Sequence, residues 1–367
     1  MSIKVMIVDD SLVVRGLIRK ILEQDRAFEV VASCTDGEAA VSDYKQFLPD
    51  IVLMDIEMPH MDGLTALQNI LKYDGNAKVV MCSSLTQSGA KTTYQALNLG
   101  ALDCLAKPSS SSIDRGESFE DKLKNMLKAL GRGKQHANVN STVSSREIRN
   151  DPSYYSFDKS YSLRPFPKRL PIRFPVAIAI GASTGGPNAL PELFKTIDKK
   201  VAVPLFITQH VPTGFEDYLA QTITKHSGFP VKVAEQGMLV EAGIAYLARA
   251  GKHLGVTQSS IKKIELIDSP PVNFCKPSIN VMLESLKDSY GKNILSVMLT
   301  GMGTDGAQAC QELIDDSEDN IILAQDEASS VVWGIPGAVA HAGLCHGVFP
   351  LSELGGIINN LIFKQTL

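Results

Sequence analysis

A chain of 367 residues with a formal net charge of −4 carries no global positive excess, so composition points away from nucleic acid and anionic membranes as partners. No run of about 18 uninterrupted apolar residues occurs, which argues against membrane insertion through a helix. Six scattered cysteines without a C-x-x-C pair read as free thiols in a reducing compartment, and Met1-Ser2-Ile3-Lys4 runs straight into an apolar stretch with no room for a leader; the expected location is cytoplasmic.

In chain order, short β-branched runs at 3–8, 28–33, 51–54, 78–82 and 102–106 alternate with helical periodicity at 12–22, 36–44, 63–71, 88–99 and 119–130. Continuous apolar runs of this length are buried parallel strands. Five β-α units without a hairpin signal imply a doubly wound parallel sheet. Residues 131–172 then carry 8 Lys+Arg against 3 Asp+Glu and are rich in Ser, Asn and Pro. They read as a linker, because such a segment buries too little apolar surface to fold by itself; Tyr154, Tyr155 and Phe157 are its candidate docking cluster. Strand signals return at 175–180, 203–208, 231–234, 245–248, 294–299 and 320–324, with helices at 188–198, 214–226, 278–289, 305–315 and 335–342. Residues 254–266 alternate like an antiparallel hairpin. The second folded region is therefore α/β too, with a mostly parallel sheet.

Asp9 and Asp10 end the first strand, Asp55 ends the third, Ser83 the fourth, and Lys107 follows the fifth. A lone aspartate at a strand end is usually a helix cap, yet ligands gather at the carboxyl ends of strands in open α/β sheets. Carboxylates converging there repel one another unless a cation neutralises them. Mg2+, which takes oxygen ligands, suits the spot, with Asp10, Asp55 and the carbonyl of Glu57 as ligands and Asp9 beside them. Asp55 is then the phosphate acceptor, Lys107 neutralises phosphoryl oxygens, and Ser83 (Ser84 as fallback) hydrogen-bonds one of them. Val8-Asp9-Asp10-Ser11, Met54-Asp55-Ile56-Glu57-Met58-Pro59 and Ala106-Lys107-Pro108 resemble the response-regulator receiver domain. The resemblance implies a flavodoxin-like five-stranded domain and a histidine kinase as phosphodonor. Cys104 stands where that family carries a switching aromatic.

Gly181-Ala182-Ser183-Thr184-Gly185 joins a strand to a helix. A phosphate-cradling loop is one reading, but neither G-x-G-x-x-G nor a Walker lysine is present. A packing turn with Ser183 as helix cap is another. The third is a nucleophile on a strand–helix turn, as in G-x-S-x-G. His210 and Asp305 each follow a later strand, and a serine hydroxyl needs such a base and such an orienting carboxylate. His253 is the second candidate histidine, lining the site or bracing a loop. The order serine, histidine, aspartate disfavours the α/β-hydrolase superfamily.

The segments 181–187, 209–215, 276–278, 299–307 and 324–327 are similar to the catalytic domain of chemotaxis protein-glutamate methylesterases. The resemblance implies a receiver domain at 1–128, a linker at 129–172 and a catalytic domain at 173–367. It implies a serine hydrolase acting on glutamate 5-methyl esters, and on glutamines, of methylated chemoreceptors. Ser183, His210 and Asp305 are the expected catalytic residues, with the backbone N–H groups of Thr184 and Met302 facing the oxyanion and no cofactor for ester hydrolysis. The receiver is expected to restrain the catalytic mouth until Asp55 is phosphorylated. Arg249 replaces a usual proline near that mouth. A receiver-regulated binding module without catalysis, and a hydrolase of some other ester or amide, are the alternatives.

Overall fold

The computed structural model describes residues 2–83, 87–107, 119–132, 161–167, 169–171 and 174–363. It divides into two compact units, residues 1–136 and 137–367.

The first unit alternates β1 (Ile3–Val8), α1 (Leu12–Glu23), β2 (Phe28–Cys34), α2 (Gly37–Phe47), β3 (Ile51–Asp55), α3 (Gly63–Tyr73), β4 (Val79–Ser83), α4 (Gln87–Asn98), β5 (Asp103–Ala106) and α5 (Phe119–Arg132). Its sheet runs β2-β1-β3-β4-β5 with every pairing parallel. All five residues of β3 are buried, the reason its sequence is apolar without alternation. Side chains of Ser11, Asp36 and Asp62 accept from Val14, Ala39 and Thr65 N–H and so start α1, α2 and α3. Strand order reverses between β1 and β3, and a crevice opens at their carboxyl ends. Gly63 closes the loop after β3, because a Cβ there would stand 1.9 Å from the Asp55 carbonyl oxygen.

The second unit contains β6 (Ala177–Ala182), α6 (Gly186–Thr196), β7 (Leu205–Gln209), α7 (Glu216–Ser227), β8 (Val231–Val233), β9 (Ala245–Leu247), β10 (His253–Val256), β11 (Ile264–Ile267), α8 (Ile279–Tyr290), β12 (Ile294–Met298), α9 (Ala307–Asp316), β13 (Ile321–Gln325), α10 (Gly334–His341), β14 (Gly347–Phe349) and α11 (Leu351–Phe363). Seven strands form one sheet, β14-β13-β12-β6-β7-β9-β8, parallel throughout. The antiparallel hairpin β10-β11 is a separate two-stranded ladder, so the main sheet is wholly rather than mostly parallel. β14 and α11 lie beyond the elements expected from periodicity. β14 has only three residues, too few to show a period, and its pairing with β13 defines it. Strand order reverses between β6 and β12, and the ends of β6, β7 and β12 lie side by side there.

Residues 161–167 pack on this unit. Tyr161 lies 5.8 Å from Trp333 between ring centroids, Arg164 N–H donates to Cys345 O at 2.7 Å, and Phe166 stands 5.8 Å from His346. The end of the basic connector is thus tied down, although the Tyr154–Phe157 cluster itself falls outside the described residues. Among the described residues no helix is long and apolar enough to cross a membrane.

Candidate active site and acidic pocket

In the first unit the strand ends bring Asp9, Asp10 and Asp55 together, with ligand oxygens within 4.8 Å of one another. Asp9 and Asp55 are buried and Asp10 is exposed. Lys107 Nζ stands 2.7 Å from Asp9 Oδ2 and 2.7 Å from Asp55 Oδ2. Burial pushes the Asp55 pKa up and prevails over the lowering effect of Lys107, with Asp9 adding repulsion. For Lys107, burial disfavours the ammonium, but the facing carboxylates of Asp55 and Asp9 outweigh that and raise its pKa. Asp9 Oδ2 meets Lys107 as a charge contact without a directed hydrogen bond, which leaves a buried lone pair among three carboxylates. That donor set fits a hard divalent cation. Glu57 is exposed and lines the adjoining depression with Asp10, Met58, Pro59 and Asp62. Ser83 ends β4, where its carbonyl accepts Lys107 N–H at 2.9 Å; Ser84 falls outside the described residues.

In the second unit Ser183 occupies the turn between β6 and α6. The left-handed residue of that turn is Gly185, φ +81°, so Ser183 itself carries no left-handed strain. His210 follows β7, and its N–H donates to Ala182 O at 3.1 Å, holding the two strand ends side by side. Gln209, buried at the end of β7, donates from Nε2 to Ser183 O at 2.8 Å and to His210 O at 3.0 Å. Asp305, 3 % exposed, faces His210 with Oδ2 2.9 Å from Nε2.

Asp305 is held from three further sides. Ser278 Oγ donates to its Oδ1 at 2.7 Å, Ile279 N–H to Oδ2 at 2.7 Å, and Asn280 N–H to Oδ1 at 3.3 Å. The carboxylate therefore caps the N-terminus of α8, where unpaired N–H groups and the helix dipole favour negative charge. Asn280 Oδ1 returns the favour to α9, accepting Gly306 N–H at 3.1 Å and Ala309 N–H at 3.0 Å. Burial alone would raise the Asp305 pKa, yet these donors and His210 hold it below the ordinary carboxylate value. Burial likewise opposes the imidazolium of His210, but Asp305 and Cys275 together prevail and its pKa is raised.

The His210–Asp305 contact places a proton on Nε2 and leaves the Nδ1 lone pair as the basic one. Nδ1 meets Cys275 Sγ at 3.6 Å. Among the described residues Ser183 Oγ forms no hydrogen bond, so the structure joins two of the three expected catalytic groups and sets the third on the neighbouring strand end. Thr184 is buried, and its carbonyl accepts the Thr300 hydroxyl at 2.9 Å. Met302 lies half-buried on the loop leading to Asp305. The N–H groups of Thr184 and Met302 make no hydrogen bond among the described residues. His253 is a brace: its Nδ1 accepts Ser278 N–H at 3.0 Å and Nε2 donates to Pro270 O at 3.1 Å. Burial lowers its pKa and keeps it neutral in that role.

Residues 178–358 match the CheB methylesterase family and residues 5–113 the response regulator receiver domain. The protein-glutamate methylesterase/protein-glutamine glutaminase of group 2 operon from Rhodospirillum centenum is 38% identical over 99% of this chain and 94% of its own. The chain belongs to the CheB methylesterase family. A second member, the protein-glutamate methylesterase/protein-glutamine glutaminase of Azospirillum brasilense, is 40% identical over 97% of this chain and 92% of its own. The Thermotoga maritima CheB methylesterase catalytic domain, a solved structure, is 29% identical, covers 51% of this chain and 99% of that one, and has a TM-score of 0.49.

Around this candidate site, sequence reasoning assigned no role to Gln209, Cys275, Ser278 and Asn280. Gln209 and Ser278 lie inside the segments 209–215 and 276–278 that carry the resemblance, so their position was the available signal. Cys275 has none, since the loop that carries it acquires meaning only when it reaches His210. Arg249, the departure from the family pattern, lies 3.9 Å from buried Glu216 and 3.8 Å from Glu235.

Proposed function

We propose that this chain is a phosphorylation-regulated serine hydrolase that demethylates glutamate 5-methyl esters, and deamidates glutamines, on the cytoplasmic helices of chemoreceptors. The observation that carries the reading is the His210–Asp305 pair, 2.9 Å apart at the strand ends that flank Ser183. Asp305 orients the imidazole and stabilises the charge it gains. His210 Nδ1 takes the Ser183 proton while Oγ attacks the side-chain carbonyl. Proton-relay contacts are commonly open in a substrate-free site and tighten on binding. The uncommitted N–H groups of Thr184 and Met302 receive the developing oxyanion, a contribution of about 2.7–4 kcal/mol for each such donor. The tetrahedral centre collapses, the C–O bond to methoxide breaks, and His210 returns the proton so that methanol leaves. Water, activated by the same nitrogen, then splits the glutamyl ester and restores Ser183; an amide substrate follows the same course and releases ammonia.

In the receiver unit Asp10, Asp55 and Glu57, with Asp9 alongside, are the residues to hold Mg2+, which when bound neutralises charge on a transferring phosphoryl group. Asp55 accepts that group from a histidine kinase, Lys107 pairs with its oxygens, and Ser83 donates a hydrogen bond to it. Phosphorylation then relieves a restraint on the esterase.

Methanol release from methylated receptor membranes tests both halves. Ser183→Ala should abolish it, and Asp55→Asn should retain a basal rate that a phosphodonor with Mg2+ no longer raises. Full turnover by Ser183→Ala would remove the serine from the mechanism, and stimulation of Asp55→Asn would move the phosphorylation site elsewhere.

A further inference from the structure

Among the described residues, His210, Cys275 and Asp305 offer donor atoms within 4.8 Å of one another. We propose that Cys275 and His210 form a clamp for a borderline-soft divalent cation, Zn2+ above all, and that occupation of this clamp switches the esterase off. Three observations support it. The first is span. A tetrahedral zinc with bonds of about 2.3 Å to sulfur and 2.0–2.1 Å to nitrogen needs the two ligand atoms roughly 3.5 Å apart. Cys275 Sγ and His210 Nδ1 stand 3.6 Å apart.

The second is orientation. A metal-binding imidazole nearly always donates its other N–H to a carboxylate, which fixes the tautomer and sharpens the lone pair facing the metal. His210 does so through Nε2 to Asp305 at 2.9 Å. Both oxygens of Asp305 are already engaged by Ser278, Ile279, Asn280 and His210. Asp305 is therefore the positioning group of the clamp rather than a third ligand. Water and the ester carbonyl or Ser183 are left to complete the coordination.

The third is selectivity. Thiolate and imidazole favour Zn2+ and reject Mg2+, which prefers an all-oxygen set. Among the described residues, the all-oxygen set is the cluster Asp9, Asp10 and Asp55 in the other unit. Of the remaining thiols, burial raises the pKa of Cys34, Cys82, Cys104, Cys310 and Cys345 and so opposes their becoming thiolate ligands. Cys275 is half-buried, and among the described residues its Sγ meets, besides His210, the carbonyl of Asn273 at 3.3 Å. On binding, the Cys275 proton passes to solvent and sulfur joins the metal. The Nδ1 lone pair that would take the serine proton is consumed in the same act. Inhibition follows from the esterase reading, whereas cation binding does not depend on it.

The full-length protein, kept in excess Mg2+ to satisfy the acidic pocket, is titrated with Co2+ as a spectroscopic stand-in. One equivalent should produce a thiolate-to-cobalt charge-transfer band in the near ultraviolet, absent from Cys275→Ser and Cys275→Ala. In parallel, Zn2+ should stop methanol release, a chelator should restore it, and the half-inhibiting concentration should rise roughly tenfold or more in Cys275→Ser, the least that loss of even an outer partner causes. No band, a band that survives both substitutions, or equal zinc sensitivity of the variant and parent would overturn the proposal. A band at Cys275 in a protein that releases no methanol would uphold the clamp and sink the esterase reading instead.

Discussion

Asp305→Asn separates charge from geometry at the heart of the site. An amide at this position must turn its NH2 toward one of two sets of donors. Turned toward the δ2 side, it would face Ile279 N–H and force His210 to accept, which is the wrong tautomer. Turned toward the δ1 side, it faces the Ser278 hydroxyl, which can rotate and accept, and the longer contact from Asn280 N–H at 3.3 Å. The second orientation wins, so His210 keeps its proton on Nε2 and loses only the facing negative charge. A charge pair near 4 Å at an effective dielectric of about 20 is worth about 4 kcal/mol. At about 1.36 kcal/mol per tenfold, kcat/KM should fall on the order of 10³-fold, short of the roughly 10⁴-fold loss that accompanies a wrong tautomer. Asp305 also raises the His210 pKa, and the base must be unprotonated to act. The acid limb of the pH profile of kcat/KM should therefore move to lower pH in the variant. Adding Ser278→Ala removes the hydroxyl that accommodates the amide, and the double variant should lose more than the two single effects combined. Methanol release across pH measures all of this. A rate within a few fold of the parent, or a large loss with an unmoved acid limb, would refute the electrostatic role given to Asp305.

Two further outcomes follow from buried contacts. In Gly186→Ala the new Cβ would sit 1.9 Å from Gln209 Oε1 and 2.8 Å from its Cδ, and Gln209 is pinned by its bonds to Ser183 O and His210 O. Overpacking of this kind costs about 1–3 kcal/mol, so the urea midpoint should drop together with activity; an unchanged midpoint and rate would mean that Gln209 swings clear. His346 is buried, accepts Ile322 N–H on Nδ1 at 3.1 Å, and has its pKa pushed down to about 4 by burial and then by Arg164. The unfolded chain binds that proton first, so the contribution is complete above pH 6.5 and is lost as pH falls toward 4. At about pH 5 the loss is about 2 kcal/mol. His346→Asn keeps an acceptor for Ile322 and should flatten this part of the stability profile, and an equally steep acid loss in the variant would assign it to other groups.

The strand ends carrying Asp9, Asp10, Asp55, Ser183, His210 and Asp305 could be read from residues alone. A buried parallel strand must be apolar along its whole length, and the first polar residue after it marks where the chain emerges at the ligand-binding edge. Helix positions followed for a related reason, since one apolar stripe at helical spacing must face the sheet. Both signals are local, and both fade where elements are short, as at β14. Folding decided what local patterns do not encode: which ring nitrogen of His210 faces Asp305, that Ser278 and the start of α8 hold that carboxylate charged, that Asn280 caps α9 in exchange, and that Cys275 comes to rest on the basic nitrogen. These contacts join residues 25 to 95 positions apart in the chain. Their hydrogen bonds depend on directions and on distances of a few tenths of an ångström, which exist only once the sheet has brought its strand ends together.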